Sequence, residues 1–246
     1  MINVDRIYQR VLTLANKEQR GYITPQEFNL YANQAQMDIF EQYFYDLNQF
    51  RRMPGNDTMH ADMVDILEEK IGVFEVTAQV GPLGGNNVAN LNALPRFYRL
   101  SSVRTRNRIF ESVSRKDFRM FSSQDAIVNS PLAAPTAMRP IYMVDTVNNT
   151  IQVDGGRTNN VENVFQPVDI DYIQSPRDAN WTYVVVGEKA LLNATALDYQ
   201  DFDLHPSEET ELVLKILTLA GFTLKDPGLY QQAAAEDGKN IQQEKS

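Results

Sequence analysis

The stretch TPQEFNLYANQAQMDIFEQYFYDLNQFRRMPG, residues 24–55, predicts one long helix. Thr24 is a typical N-cap residue, Pro25 suits the first helical position, and Glu27 completes a capping box with Thr24. Apolar side chains then recur at helical spacing, which predicts one buried face. They are Phe28, Tyr31, Ala35, Ile39, Tyr43, Leu47 and Phe50. The sequence Met53-Pro54-Gly55 predicts the end of the helix.

Further helices are predicted towards both ends of the chain. Apolar residues recur at helical spacing in residues 3–19, 57–70 and 206–220, and Asp226-Pro227 is typical of the start of one more helical segment. The middle of the chain changes to alternation with period two, which predicts short strands. These are Val73–Val80, Phe97–Arg104, Arg108–Val113, Ile141–Val147, Thr150–Asp154, Val168–Ile173 and Thr182–Val186, with a short helix over Ser114–Phe121. Asn148-Asn149 lies between two of these strands and predicts a hairpin turn, since asparagine tolerates positive φ.

This order of helices, strands and helices predicts an α+β fold. We expect the N- and C-terminal helices, residues 1–70 and 205–246, to form a discontinuous helical bundle. Residues 71–204 would form an inserted all-β domain with long loops. The end of this last segment, Glu236–Ser246, is polar and would be a marginal helix in isolation. We therefore expect residues 227–246 to be a segment that docks on a partner.

Composition excludes several classes of function. The chain has 246 residues, of which 43% are hydrophobic and 22% charged, with two histidines and no cysteine. Disulfides, thiolate nucleophiles and cysteine-ligated metal centres are therefore excluded. No nucleotide-binding loop, nucleophile elbow or zinc-protease motif is present, so no cofactor is expected. Because no apolar run approaches the roughly 20 residues of a membrane span and no signal peptide is evident, we expect a soluble, non-exported chain.

The net charge of −9 is unevenly distributed along the sequence. Residues 1–69 hold eleven acidic and six basic side chains, and residues 198–246 hold ten and four. Residues 96–119 reverse this balance, with eight basic and two acidic side chains. Basic and acidic regions at different places allow copies of one chain to complement each other head to tail.

Two clusters suggest chemistry beyond assembly. On an extended segment, Asp201, Asp203 and His205 would share one face and could bind a divalent cation, which would suit a metal-dependent hydrolase. The alternative is that His205-Pro206-Ser207-Glu208 begins a helix, whose N-terminus favours acidic residues.

The basic region has two interpretations as well. Arg104, Arg106 and Arg108 alternate along the chain, and aromatic residues interleave with the surrounding arginines. This pattern would suit a nucleic-acid-binding module. The alternative is a solvated or subunit-facing strand surface, which the acidic remainder of the chain favours because it would repel phosphate. We therefore predict a partner interface that includes these arginines.

Several strings resemble a family of tailed-bacteriophage virion proteins, whose best-known members come from crAss-like and related marine podoviruses. The first is RGYITPQEFN at residues 20–29, followed by a long helix with Gln36 and Phe40. Further strings are PTAMRPIY at 135–142, YIQSP at 172–176 with Trp181, and FDLHPSEETELV at 202–213, which continues into LAGFTLKDP at 219–227. The similarity covers most of the chain and involves caps and turns.

The resemblance implies a head–tail connector, that is, a neck ring or adaptor protein and not an enzyme. Such a protein forms a homo-oligomeric ring, with twelve copies as one candidate number, around the DNA channel below the portal. Its expected partners are the portal and the neighbouring neck and tail proteins, with Leu229, Tyr230 and Ile241 as docking residues. DNA would pass through without specific binding, and no membrane is involved. The expected location is the virion neck, after assembly in the reducing cytoplasm of a bacterial host.

Overall fold

The computed structural model describes residues 1–17, 23–52, 58–80, 88–105, 108–122, 134–158, 161–162, 168–187 and 189–223. The chain is α+β and divides into two compact units. Unit 1 contains Met1–Val73 and Pro176–Ser246, and unit 2 contains Phe74–Ser175. The predicted docking segment 227–246 lies outside the described residues.

The described residues contain five α-helices. They are α1 (Val4–Lys17), α2 (Pro25–Arg52), α3 (Thr58–Gly72), α4 (Arg115–Phe121) and α5 (Glu209–Thr223), and a 3₁₀ turn at Pro206–Glu208 leads into α5. In unit 1, α2 packs against α3 and α5, and α1 packs against α5. None of the helices in the described ranges combines the length and the apolar character that a bilayer-spanning helix requires.

The capping box at the start of α2 is confirmed. The backbone amide of Thr24 donates to Glu27 Oε2 at 3.0 Å, and the amide of Glu27 donates to Thr24 Oγ1 at 3.3 Å. Hydrogen bonds from Thr24 hold the pKa of the Glu27 carboxyl below its usual value. The predicted face of α2 is buried at Phe28, Ala35 and Ile39.

The strands of the described ranges fall into two larger sheets and two hairpins. They are β1 (Glu75–Val80), β2 (Val88–Asn90), β3 (Phe97–Thr105), β4 (Arg108–Ile109), β5 (Glu111–Ser112), β6 (Ile141–Asp145), β7 (Thr150–Asp154), β8 (Arg157–Thr158), β9 (Val161–Glu162), β10 (Val168–Gln174), β11 (Tyr183–Val186) and β12 (Lys189–Leu192). The sheets of unit 2 have the orders β1-β10-β3-β4 and β2-β7-β6-β5. The predicted strand Arg108–Val113 is divided between them, because β4 joins one sheet and β5 the other.

The core of unit 2 consists of apolar side chains from both sheets. Val103, Ile151, Ile170 and Tyr172 are fully buried in it. The predicted turn between β6 and β7 is present, and Asn149 adopts a positive φ there, which asparagine tolerates better than most residues.

Residues 176–204 belong to unit 1, whereas the sequence assigned them to the β-rich insertion. The backbone of Ile2 pairs with that of Phe202 through two hydrogen bonds of 3.1 Å. Side chains of α2 bind the backbone of residues 177–181, as described below. The boundary between the two units is therefore set by contacts between residues far apart in sequence. A local pattern of alternating apolar and polar residues cannot predict such contacts.

Candidate interaction site

A row of side-chain amides on α2 binds the extended segment 177–181. Asn33 Nδ2 donates to the Ala179 carbonyl at 3.1 Å, and the Ala179 amide donates to Asn33 Oδ1 at 2.7 Å. Asn29 binds both backbone groups of Trp181 in the same way, at 3.2 and 2.9 Å. These side chains supply the hydrogen bonds that a neighbouring strand would otherwise supply.

Gln36 extends this row by one helical turn and is almost completely buried, with 1% of its surface exposed. Its Nε2 donates to the Arg177 carbonyl at 2.7 Å, and its Oε1 accepts the Asp203 amide at 3.2 Å. The apolar periodicity of α2 does not predict this anchor. The signal that could have found it is three amide side chains at positions i, i+4 and i+7 of a helix, beside its apolar face.

We expect the replacement Asn33→Ala to lower the free energy of unfolding by about 2 kcal/mol or more. The change would leave both backbone groups of Ala179 buried without the partners that Asn33 provides, at about 1–3 kcal/mol per unsatisfied group. Urea denaturation followed by far-UV circular dichroism measures the loss. Asn48→Ala is a matched control, because Asn48 lies on the exposed side of the same helix. Equal losses in both variants would contradict a specific role for the amide row.

The amide row anchors the base of the β11–β12 hairpin. Trp181 precedes β11 and has 1% of its surface exposed. Its Nε1 donates to Asp5 Oδ1 at 2.9 Å, and its ring lies 4.0 Å from that of Tyr8. Thr182 and Asn193 close the base through the Asn193 amide, which donates to the Thr182 carbonyl at 2.9 Å. The base of the hairpin is therefore held firmly by α1 and α2.

The hairpin itself is largely apolar and exposed on both faces, and Lys189 is the charged residue of its two strands. Opposite residues of an antiparallel pair share a face, so Val184 and Leu191 lie on one face, and Val185 and Ala190 on the other. Val184 and Leu191 are each 50% exposed and Val185 is 65% exposed. Gly187 has a φ of +55° in the tight turn, a conformation that glycine adopts without strain. A two-stranded ribbon is marginally stable alone, so this one is suited to burial by another molecule.

Asp201, Asp203 and His205 have three separate structural roles. Asp201 Oδ1 accepts the Val4 amide at 2.8 Å at the start of α1. The Asp203 carboxylate binds the Arg177 guanidinium, with the shortest contact at 2.6 Å from Nη2 to Oδ1. This pairing raises the pKa of Arg177 above its ordinary value.

The helix-start interpretation of His205 is confirmed. His205 Nδ1 accepts the Ser207 amide at 3.3 Å and caps the 3₁₀ turn that leads into α5. Among the described residues, no group of three or more histidine, aspartate or glutamate side chains is placed to hold a metal ion. The structure therefore does not assemble the candidate cation site.

Arg104 lies on an outer face of unit 2, where Asp171 partly neutralises it. Arg104 Nη2 is 3.1 Å from Asp171 Oδ1. The hydroxyls of Thr77 and Ser102 each donate to the same carboxylate at 2.6 Å. This surface is a polar network of three neighbouring strands, in which the arginine charge is already paired.

The other predicted interface residues are placed differently. The Arg108 guanidinium donates to the Ala137 carbonyl, so this side chain links β4 to the 136–139 turn. Arg106 and the tail residues Leu229, Tyr230 and Ile241 lie outside the described residues. The three arginines therefore do not form one described surface.

A small cavity of about 40 Å³ lies between α2, α3 and the start of α5. Its lining includes Tyr43, Lys70 and Glu208, and Lys70 Nζ is 2.7 Å from Glu208 Oε1. A water molecule needs about 10–15 Å³ on such a measure, so the cavity has room for a few waters at most. This cavity does not have the size of a site for an organic substrate.

The chain matches no protein-family model, and a search of curated proteins finds no match either.

Proposed function

We propose that the chain is a non-enzymatic structural subunit of a tailed-bacteriophage neck. In this proposal, copies form a homo-oligomeric ring that joins the portal and capsid to the tail and surrounds the DNA channel. The β11–β12 hairpin is the observation that carries the proposal. A ribbon that is anchored at its base and largely apolar on both exposed faces, apart from Lys189, is explained by burial against another subunit.

The distribution of charge between the two units supports self-assembly. Unit 1 holds 13 basic and 23 acidic side chains, whereas unit 2 holds ten and nine. Unit 1 therefore has a net charge of −10, whereas unit 2 has a net charge of +1. Such asymmetry orients copies head to tail, and an acidic channel wall would let DNA pass without specific binding.

The proposal includes the finer fold that the resemblance implies, a helical bundle of N- and C-terminal helices with an inserted β domain. The packing of α2 against α3 and α5 is consistent with such a bundle. No observation among the described residues favours a metal-dependent hydrolase or a nucleic-acid-binding module. Asp203 is paired with Arg177, and Arg104 is paired with Asp171.

The mass and shape of the purified chain test the proposal. We expect sedimentation velocity to show one discrete oligomer and negative-stain images to show closed rings. Rings require a repeated contact between different surfaces of neighbouring copies. A chain that stays monomeric over a wide range of concentrations would contradict the proposed function.

The terminal segment, residues 227–246, is proposed to dock on the portal or on the next ring. We expect deletion of residues 228–246, which removes Leu229, Tyr230 and Ile241, to leave ring formation intact and to abolish joining to portal-bearing heads. Counting joined particles in electron micrographs measures the effect. A full-length chain carrying a surface change such as Leu30→Lys serves as the control. Normal joining by the shortened chain would show that this segment is not the docking element.

A further inference from the structure

Both edges of the β11–β12 ribbon are open to a further strand. The two strands form a sheet of their own, and no other strand of the described ranges pairs with either of them. Natural sheet edges are commonly protected by lysine, by proline or by a bulge. β11 has the sequence YVVV, without charge or proline, and it pairs with β12 without a bulge. An unprotected edge of this kind accepts strands from other molecules.

A hydrogen bond at the base of the hairpin determines which backbone groups point outward. The Asn193 amide donates to the Thr182 carbonyl at 2.9 Å, so these two residues form a hydrogen-bonded pair. Bonded and non-bonded pairs alternate along an antiparallel ladder, and every second residue therefore turns its N–H and C=O away from the partner strand. The residues with outward groups are Tyr183 and Val185 on β11, and Ala190 and Leu192 on β12.

These outward groups restrict the kind of partner that can cover the ribbon. Lipid would cover the apolar faces, but it offers no hydrogen bonds to backbone N–H and C=O groups, and open strand edges are excluded from hydrocarbon for this reason. A second ribbon satisfies the same groups. Every copy of the chain carries one with the matching pattern, since each strand has two residues with outward groups in antiparallel register.

We propose that the β12 edge of one copy pairs with the β11 edge of the next copy, so that the hairpins join into one intermolecular sheet. This inference rests on the proposed ring function and names its contact. In a ring whose axis runs along the hairpins, neighbouring hairpins point the same way. β12 of one copy then lies antiparallel to β11 of the next, as it does within the hairpin.

The charges and side chains of the ribbon are compatible with this pairing. If the register of the hairpin continues across the junction, Ala190 lies opposite Val185 of the next copy, and Lys189 lies opposite Val186. No like charges then face each other across the junction, an arrangement that would destabilise it.

The size of one junction explains why the ring must close. An edge of four residues is about 13 Å long and covers less than the roughly 800 Å² per partner of a standard interface. A dimer held by one such junction is therefore weak. In a closed ring every hairpin is paired at both edges, so the junctions stabilise one another and no edge stays exposed.

Proline at an outward-facing position tests the pairing. Val185→Pro removes an N–H group from the β11 edge, and Ala190→Pro removes one from the β12 edge. The hydrogen bonds within the hairpin use neither group, so we expect an unchanged far-UV circular dichroism spectrum. Pairwise association should weaken about tenfold or more, and rings should be lost in negative-stain images. Val185→Thr is the matched control, because it keeps the N–H group and the branched shape, and its rings should persist.

Disulfides identify which edges meet, independently of the proline variants. The natural chain has no cysteine, so engineered cysteines have no competitor. Oxidation of Val185→Cys mixed with Ala190→Cys or with Leu192→Cys should give a linked dimer, because the Cα atoms of paired residues are about 5.5 Å apart. No variant should link to itself, since the same position in the next copy is two strands, or about 10 Å, away.

Each result supports or overturns the inference. Loss of rings in both proline variants, rings in Val185→Thr, and disulfides in the mixtures alone support it. Rings in either proline variant, or mixtures without a disulfide, overturn it while the ring function stands. Self-linking of Val185→Cys overturns it, because it indicates a two-fold contact between like edges. Loss of rings in Val185→Thr overturns it as well, because the ribbon face and not its edge would then make the contact. A wild-type chain that never forms rings overturns both this inference and the proposed function.

Discussion

The free energy of unfolding is expected to fall by about 3–5 kcal/mol when Trp181 is replaced by alanine. The indole is almost completely buried between the two elements that it joins. It lies 4.0 Å from the ring of Tyr8 in α1, and its backbone is bound by Asn29 of α2. Removing the indole leaves a large cavity, because the neighbouring helices relax only partially. It also removes the hydrogen bond that Nε1 donates to Asp5 Oδ1.

Far-UV circular dichroism during urea denaturation measures this loss, since the chain has one tryptophan and the variant has no indole fluorescence. Trp181→Phe is the matched control. It keeps an aromatic ring but loses the hydrogen bond from Nε1 to Asp5, so we expect a smaller loss of about 1–2 kcal/mol. A loss below about 1 kcal/mol for Trp181→Ala would show that the residue does not anchor the hairpin base.

Replacement of Glu208 by glutamine is expected to lower the free energy of unfolding by about 3 kcal/mol at neutral pH. The side chains of Glu208 and Lys70 are only 4% and 18% exposed, and the charged atoms are 2.7 Å apart. The Lys70 ammonium also lies 5.7 Å from the centre of the Tyr43 ring. The variant would leave this ammonium group largely buried without its carboxylate, which costs more than the intact pair contributes.

The loss of stability caused by Glu208→Gln should become smaller as the pH falls. Burial by itself raises the pKa of Glu208, but hydrogen bonds and charge from Lys70 and a hydrogen bond from Ser207 outweigh it and hold the pKa below 4.5. A carboxyl group with a lowered pKa in the folded state stabilises the fold fully above its unfolded pKa, and this contribution is lost as the pH falls through the folded pKa. The difference between wild type and Glu208→Gln should therefore narrow in urea titrations below about pH 4.5.

The double variant Lys70→Met with Glu208→Leu is the control for the pair. It removes both charges, so we expect it to recover most of the stability that Glu208→Gln loses. A double variant as unstable as the single one would mean that packing of the carboxyl group, and not an uncompensated charge, accounts for the loss.

Local signals predicted much of the secondary structure. The capping box at Thr24 and Glu27 marks the start of α2 because both partners lie within one helical turn. The short helix after Ser114 and the turn at Asn149 were predicted for the same reason. Alternation likewise predicted most strands of unit 2, since their faces divide between the core and solvent.

The candidate site was predicted only in part. The apolar run Val184–Val186 predicted a strand, but such a run is also typical of a strand buried on both sides. β12 was not predicted, although it pairs with β11 over four positions. The exposure of the hairpin depends on what else packs near it, and no residue within the run carries that information.

The sequence by itself determined the α+β class, the caps and the apolar faces, because each depends on residues within a few positions of one another. Only the tertiary structure decided that Asn29, Asn33 and Gln36 bind the backbone of residues 177–181, and that Arg177 pairs with Asp203. The amide contacts join residues more than a hundred positions apart. The groups that they bind are backbone amides and carbonyls, which every residue carries, so the side chains of residues 177–181 do not indicate the contact. The sequence likewise predicts only a strand at Val184–Val186. Its place in an exposed hairpin, on which the proposed assembly depends, is decided by the tertiary structure.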